Sequence, residues 1–243
     1  DWLGRYGLDP ARQPADLTLA LGTGSVTPMQ MAQAYGAIAN GGWLVGPVLI
    51  ERIVDAQGRV LFEAPPAPAP DEATRAIPAR NAFLMSTMLA EATKSGTAAR
   101  AQATLQRPDL YGKTGTTNDA VDAWFAGFQP GVVAVAWMGY GEPRSLGERE
   151  SGGGLALPIW IDYMAVALKG VPVAPLEPPA GLVRDGDGWL YEELAVAGHV
   201  TRIGADGSVQ RSQPFAPLPP LPPPGPAASA VPAGAPADSA GGQ

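Results

Sequence analysis

Cysteine is absent from the chain, which excludes disulfide frameworks, thiolate nucleophiles and cysteine-ligated metals. Histidine is nearly absent. The single His199, in Ala-Gly-His-Val-Thr, cannot build a metal site alone and reads as an ordinary surface or strand residue, so neither a metal nor a cofactor is expected. Charge is scarce too: Asp, Glu, Lys and Arg make up 16% of the chain, against the roughly 25% usual for soluble domains. With a net charge of -7 and no run of Lys and Arg long enough to neutralise a row of phosphates, nucleic acid is excluded as a partner. Apolar runs long enough to cross a membrane are also lacking. Residues 17–50 and 123–141 carry no charge, but Pro28, Asn40, Pro47 and six glycines break the first, and Gln129-Pro130-Gly131 breaks the second. Both read as buried core. The start, Asp-Trp-Leu-Gly-Arg-Tyr-Gly, has no basic segment followed by an apolar one, and the chain is expected to begin within a domain.

Hydrophobic residues supply 46% of the 243 positions, enough for one domain with appendages. Thr27 as N-cap and Pro28 at the first helical position open a helix through Met29, Met31, Ala32, Ala34, Tyr35 and Ile38, which Asn40-Gly41-Gly42 stops. The apolar runs 48–54 and 59–62 around Asp55-Ala56-Gln57-Gly58 read as a hairpin, and the four prolines of 64–70 as a loop. Residues 80–99 predict a helix with Phe83, Leu84, Met88, Leu89 and Ala92 on one face, ending near Gly96, with loop as far as Pro108.

Residues 111–117, 123–128 and 132–140 read as three successive antiparallel strands, the last two joined by the Gln-Pro-Gly turn. A closing helix follows over 157–168, with Pro158 in its first turn and a stripe of Ile159, Trp160, Tyr163, Met164 and Ala167. The Asp-Gly pairs at 185, 187 and 206 mark a small β appendage over 176–212. Ten prolines among the last 30 residues make 213–243 a disordered Pro/Ala/Gly-rich tail. Its Leu218 and Leu221 among prolines favour polyproline II.

Chemistry concentrates at Tyr111-Gly112-Lys113-Thr114-Gly115-Thr116-Thr117-Asn118-Asp119. Gly112-Lys113-Thr114 imitates the end of a phosphate-binding loop, but that motif needs another glycine at position 107, which is Arg107. The alternative is a Lys-Thr-Gly strand at the rim of an acyl-transfer cleft. An extended peptide can hydrogen-bond along such a strand, and Gly115 has no Cβ to obstruct it. Thr114 and Thr116, two apart, share one face, so their hydroxyls can bind a carboxylate that the Lys113 ammonium attracts, with Thr117 following them. The Thr116 backbone N–H is placed to donate to an oxyanion. Asp119 and Asp122 read as turn or capping residues, and Trp124 as core.

KTGTTND, then DAWFAGF at 122–128 and VAVAWMGYG at 133–141, resembles the transpeptidase domain of class A penicillin-binding proteins. LALGTGSVTPMQMAQAYGAIANGG at 19–42 is similar to the helical segment that precedes the Lys-Thr-Gly strand in that family. ALPIWIDYMAVALKGVP at 156–172 is similar to its closing helix. The resemblance implies an α/β fold of α+β type, an antiparallel sheet flanked by helices, like serine β-lactamases and D,D-transpeptidases, with the N-terminal half of the domain missing. Residues 1–175 would form its C-terminal portion.

The resemblance also implies an activity. A serine attacks the D-alanyl-D-alanine end of a peptidoglycan stem peptide, and the acyl group passes to an amine on a neighbouring strand. β-Lactams acylate the same serine. In class A members a glycosyltransferase domain and an N-terminal membrane anchor precede this domain on the extracytoplasmic face, and a membrane contact is expected only through that anchor.

The family's Ser-x-x-Lys and Ser-x-Asn motifs do not occur. Lys94, Lys113 and Lys169 are preceded at three residues by Glu91, Leu110 and Val166, and Asn40, Asn81 and Asn118 are preceded at two by Ile38, Ala79 and Thr116. Of the catalytic set only Lys113 is present, and the chain is expected to be inactive alone. A serine β-lactamase or carboxypeptidase relative and a non-catalytic binding module on the same sheet are the alternatives.

Overall fold

The computed structural model describes residues 2–66, 69, 71, 72, 75–195, 200–203 and 209–211. The chain divides into two compact units, Asp1–Tyr191 and Glu192–Gln243. The first carries helices α1 (Trp2–Arg5), α2 (Pro28–Ala39), α3 (Ala79–Lys94), α4 (Ala99–Leu105) and α5 (Ala156–Ala167). Its strands are β1 (Arg52–Val54), β2 (Val60–Glu63), β3 (Tyr111–Thr116), β4 (Asp122–Gln129), β5 (Val132–Gly139), β6 (Leu182–Asp185) and β7 (Gly188–Tyr191). The second holds α6 (Glu192–Ala195) and the paired strands β8 (Val200–Ile203) and β9 (Val209–Arg211). His199 and the residues beyond 211, with Leu218 and Leu221, lie outside the described residues.

The centre is an antiparallel sheet of order β3-β4-β5, in register from Tyr111↔Phe128 to Thr116↔Ala123 and from Asp122↔Gly139 to Gln129↔Val132. Alternate residues point to opposite faces, so the middle strand feeds two cores. On one face Phe125 packs with Leu110, Ala136, Leu157, Trp160 and Met164, under α4 and α5. On the other, Tyr111 and Phe128 stack at 4.9 Å and pack with Ile38, Ile77, Ala82 and Leu89, under α2 and α3. Gly127 is buried on the Phe125–Trp160 face, where a Cβ would meet Tyr111 O at 2.7 Å, Phe125 Cε1 at 2.9 Å and Trp160 Cζ2 at 3.1 Å.

The helices follow their expected signals, with corrections of phase. Thr27 caps α2 through a capping box with Gln30, and Gly41 and Gly42 turn away at φ 82° and 117°, as their lack of a Cβ permits. α3 ends at Lys94, and the segment read as loop contains α4, whose only buried residue is Ala101. On α3, Phe83 and Leu89 are buried as expected, but Met88 is 61% exposed and Leu84 and Ala92 are half-buried, while Ala82, Ser86 and Thr93 take inner positions. On α5, Trp160 and Met164 are buried as expected, but Ile159 and Tyr163 face outward, 46% and 56% exposed, while Leu157 and Ile161 take the inner positions.

The long uncharged stretch 17–50 is not all core. Ala34, Ala37, Ile38 and Ala39 are buried, whereas Leu17, Leu21, Val48 and Leu49 are exposed. The β1–β2 hairpin forms, yet every residue of both strands is exposed. The β6–β7 hairpin packs on α3, with Trp189 edge-on to Phe83 at 5.2 Å and the Tyr191 hydroxyl donating to Asn81 Oδ1 at 2.8 Å. Among the described residues no helix is long and apolar enough to cross a membrane.

One buried charge pair ties the end of α5 to the roots of β3 and β4. Asp109 is fully buried and accepts from Arg107 Nε at 2.9 Å, Arg107 Nη2 at 2.7 Å, Gln129 Nε2 at 3.1 Å and the Ala174 N–H at 3.0 Å. Arg107 also donates to the carbonyls of Val171 and Pro172, at 2.7 and 2.9 Å. Burial alone would raise the Asp109 carboxyl, but the hydrogen bonds from Arg107, Ala174 and Gln129 outweigh it and hold the group below the usual range. A lowered folded value means this carboxylate contributes stability above about pH 4 that is lost as pH falls through the folded value. Asp109→Asn leaves Arg107 buried without its counter-charge and should cost about 3 kcal/mol. Denaturant unfolding from pH 6 to pH 3 should show that loss at the neutral end and a flatter acid limb than wild type.

Candidate functional site

β3 is an edge strand. Its inner side pairs with β4, and among the described residues no strand pairs with its outer side. The first half, Tyr111 and Gly112, is buried; Lys113 and Thr116 are exposed, with Thr114 and Gly115 half-buried between them. A Cβ on Gly112 would meet Phe125 Cζ at 2.6 Å, so glycine here lets the strand lie flat on the core before it emerges.

Lys113 leaves β3 on the face of Tyr111, and Thr114 on the face of Phe125. Their polar ends meet at the free edge, where Lys113 Nζ donates to Thr114 O at 3.1 Å and to Thr114 Oγ1 at 3.3 Å. Thr114 Oγ1 is also 2.8 Å from Thr97 Oγ1. Thr116 Oγ1 accepts the Gly152 N–H at 3.0 Å. A hydroxyl that accepts there keeps its own proton available to a ligand. Thr117 lies past the strand, where its hydroxyl accepts the Asp122 N–H at 2.7 Å and closes the turn into β4. The structure thus brings Lys113, Thr114, Gly115 and Thr116 to one edge, and gives Thr117 a hydrogen bond within its own turn.

Gly115 was expected to open room for a ligand backbone. In the structure a Cβ there would meet Trp124 Cβ at 3.2 Å, so its bareness also serves the cross-strand neighbour. Trp124, expected in the core, is half-buried and tilts against Trp137 at 6.0 Å. Asp122 accepts the Trp137 indole N–H at 2.8 Å. Asp119 and Ala120 both adopt left-handed backbone, φ 59° and 50°. Asp tolerates that region, but for Ala it costs about 1 kcal/mol, and the Leu146 N–H holds the bend by donating to Ala120 O at 2.8 Å.

Two elements of the site escaped the sequence reading. One is Thr97, in the turn between α3 and α4. The other is the turn of residues 151–154, which lies over β3 before entering α5. Ser151 Oγ accepts the Gly154 N–H at 3.2 Å, and Gly152 O accepts the N–H groups of Ala156 and Leu157, at 3.1 and 2.8 Å. A Cβ on Gly152 would overlap Trp124 O and Gly115 O. The run Gly152-Gly153-Gly154 directly ahead of a helix was the available signal for such a close approach.

Comparison with known proteins bears on the family and the fold. Residues 7–164 match the family model described as the penicillin-binding protein transpeptidase domain. Penicillin-binding protein 1A of Neisseria flavescens is 40% identical over 217 residues, covering 89% of this chain and 27% of the relative. The chain therefore spans about a quarter of that relative's length. The crystal structure of penicillin-binding protein 1A from Haemophilus influenzae superposes with a TM-score of 0.66 at 34% identity, covering 74% of this chain and 32% of that one. The PonA1 protein of Mycobacterium tuberculosis, solved in complex with penicillin V, gives 0.54 at 26% identity, over 73% of this chain and 46% of its own.

The crossing at Gly152 makes a contrast measurable in melting temperature. Gly152→Ala must displace the 151–154 turn from backbone oxygens and should cost about 1–3 kcal/mol. Gly154→Ala, where the nearest atom would lie at 3.6 Å, should be close to neutral.

Proposed function

The chain belongs to the penicillin-binding protein transpeptidase family, and we propose that it forms the C-terminal part of a D,D-transpeptidase domain in a longer peptidoglycan synthase. In that reaction a serine oxygen bonds to the carbonyl carbon of the penultimate D-alanine of a stem peptide. The C–N bond to the terminal D-alanine breaks, and the departing amine takes up a proton. An amine on a neighbouring stem peptide then attacks the acyl-serine ester, and the serine oxygen leaves with a proton. β-Lactams stop the cycle at the acyl-serine.

The strand described above suits the binding half of this chemistry. A donor peptide laid along the free edge of β3 gains backbone hydrogen bonds. Lys113 supplies the positive field and Thr114 and Thr116 the hydroxyls for its terminal carboxylate, while the Thr116 N–H donates to the oxyanion. Thr117 extends the binding strand toward its turn. The observation that carries the reading is this exposed Lys-Thr-Gly-Thr edge within a span that the family model matches. The longer protein would be bifunctional, with a glycosyltransferase domain, and would be anchored at the extracytoplasmic face of the bacterial membrane.

The chain holds no serine three residues before any of its lysines, so it supplies positioning groups without the nucleophile and should not turn over alone. Its open side supports a place in a larger domain. Beside the outer edge of β5 runs a groove of about 460 Å³, lined in part by Val133, Val135, Trp137, Ile159 and Tyr163. Such an apolar groove beside an unpaired strand edge favours self-association.

Labelling with a fluorescent penicillin tests the assignment. The chain extended upstream through a Ser-x-x-Lys segment should form a covalent adduct, slowed by about 100-fold or more on Lys113→Ala, and the chain alone should form none. A covalent adduct on the chain alone would overturn the division of labour. Light scattering of the chain alone should rise with concentration; a concentration-independent monomer would contradict the open-edge account.

A further inference from the structure

Lys113 ends a flexible four-carbon stem, and its ammonium can only donate hydrogen bonds. Toward Thr114 Oγ1, at 3.3 Å, the threonine hydroxyl must therefore accept. Thr114 Oγ1 also pairs with Thr97 Oγ1 at 2.8 Å, where either hydroxyl can donate. Thr114 Oγ1 thus hydrogen-bonds Lys113 and Thr97 together. With the proton on either oxygen, the contact with Thr97 restrains the Thr114 hydroxyl while one of its lone pairs takes the ammonium.

Thr97 is itself held by rigid elements. The turn it occupies is anchored by the Gly96 N–H on Glu91 O at 3.2 Å and the Ala98 N–H on Ala92 O at 3.0 Å, with Ala98 fully buried. Gly96 has no room for a side chain, since a Cβ would meet Ala92 Cα at 2.9 Å. α3, which precedes the turn, is tied to β3 by the Thr93 hydroxyl donating to Leu110 O at 2.6 Å. Thr97 is exposed and belongs to neither hydrophobic core.

We propose that Thr97 is a positioning residue of the transpeptidase site, orienting the Thr114 hydroxyl and through it the Lys113 ammonium for recognition of the ligand's carboxylate. The role rests on the transpeptidase reading and adds to it a residue outside the Lys-Thr-Gly strand. Thr97→Val keeps the shape and removes the hydroxyl partner; Thr97→Ser keeps it.

The test compares acylation of the longer protein by benzylpenicillin and by its methyl ester, which lacks the carboxylate. Loss of one hydrogen bond should slow acylation of Thr97→Val by the acid about five-fold. The ester rate and the melting temperature should stay at wild-type values, and Thr97→Ser should restore the acid rate. Equal acid rates in Thr97→Val and wild type would overturn the proposal, as would an equal fall for acid and ester. A wild type that neither compound acylates would overturn the transpeptidase reading, and the Thr97 role with it.

Discussion

The middle strand β4 must be buried on both faces, and the rest of the first unit is arranged around that requirement. Phe125 turns toward α5 and Phe128 toward α2 and α3, so neither layer can be removed without exposing an aromatic. A strand covered on both faces and paired on both sides leaves the sheet two edges, β3 and β5. The β3 edge carries the Lys-Thr-Gly-Thr run, backed by α3 on one face and crossed near Gly115 by the 151–154 turn. Rigid backing of this kind holds recognition groups better than a loop does. The buried Arg107–Asp109 pair serves the same end by fastening the exit of α5 to the strand roots.

The polar contacts of β3 suit the proposed recognition of a carboxylate. Lys113 and Thr114 start from opposite faces and converge only because the strand has a free edge. Thr116 accepts from Gly152 and keeps its proton for a ligand. Thr97 orders the other hydroxyl. In the proposed reading these groups bind and orient, and the bond-making groups belong to an upstream part of the domain.

Much of this was legible in the sequence. The three strands declared themselves through β-branched and aromatic runs with a tight turn between the last two, and α2 through Thr27-Pro28 and its apolar spacing. What was misread has a common cause. α5 is apolar nearly all round, so periodicity could not say that Leu157 and Ile161, rather than Ile159 and Tyr163, face the sheet. α4 is built from Ala, Arg, Gln and Thr with one leucine, Leu105, and a single buried residue, which leaves no stripe to detect. Thr97 and Gly152 meet residues 17 and 37 positions away, Thr114 and Gly115; local pattern carries no trace of the first meeting, and only the run Gly152-Gly153-Gly154 hints at the second.

Amide hydrogen exchange of the longer protein, with and without penicillin, tests most directly whether the free edge of β3 is where the ligand lies. Slowed exchange in residues 112–117 on acylation, with the 151–154 turn responding beside it, is the result this account predicts. Unchanged exchange along β3, with protection confined to segments away from it, would contradict it.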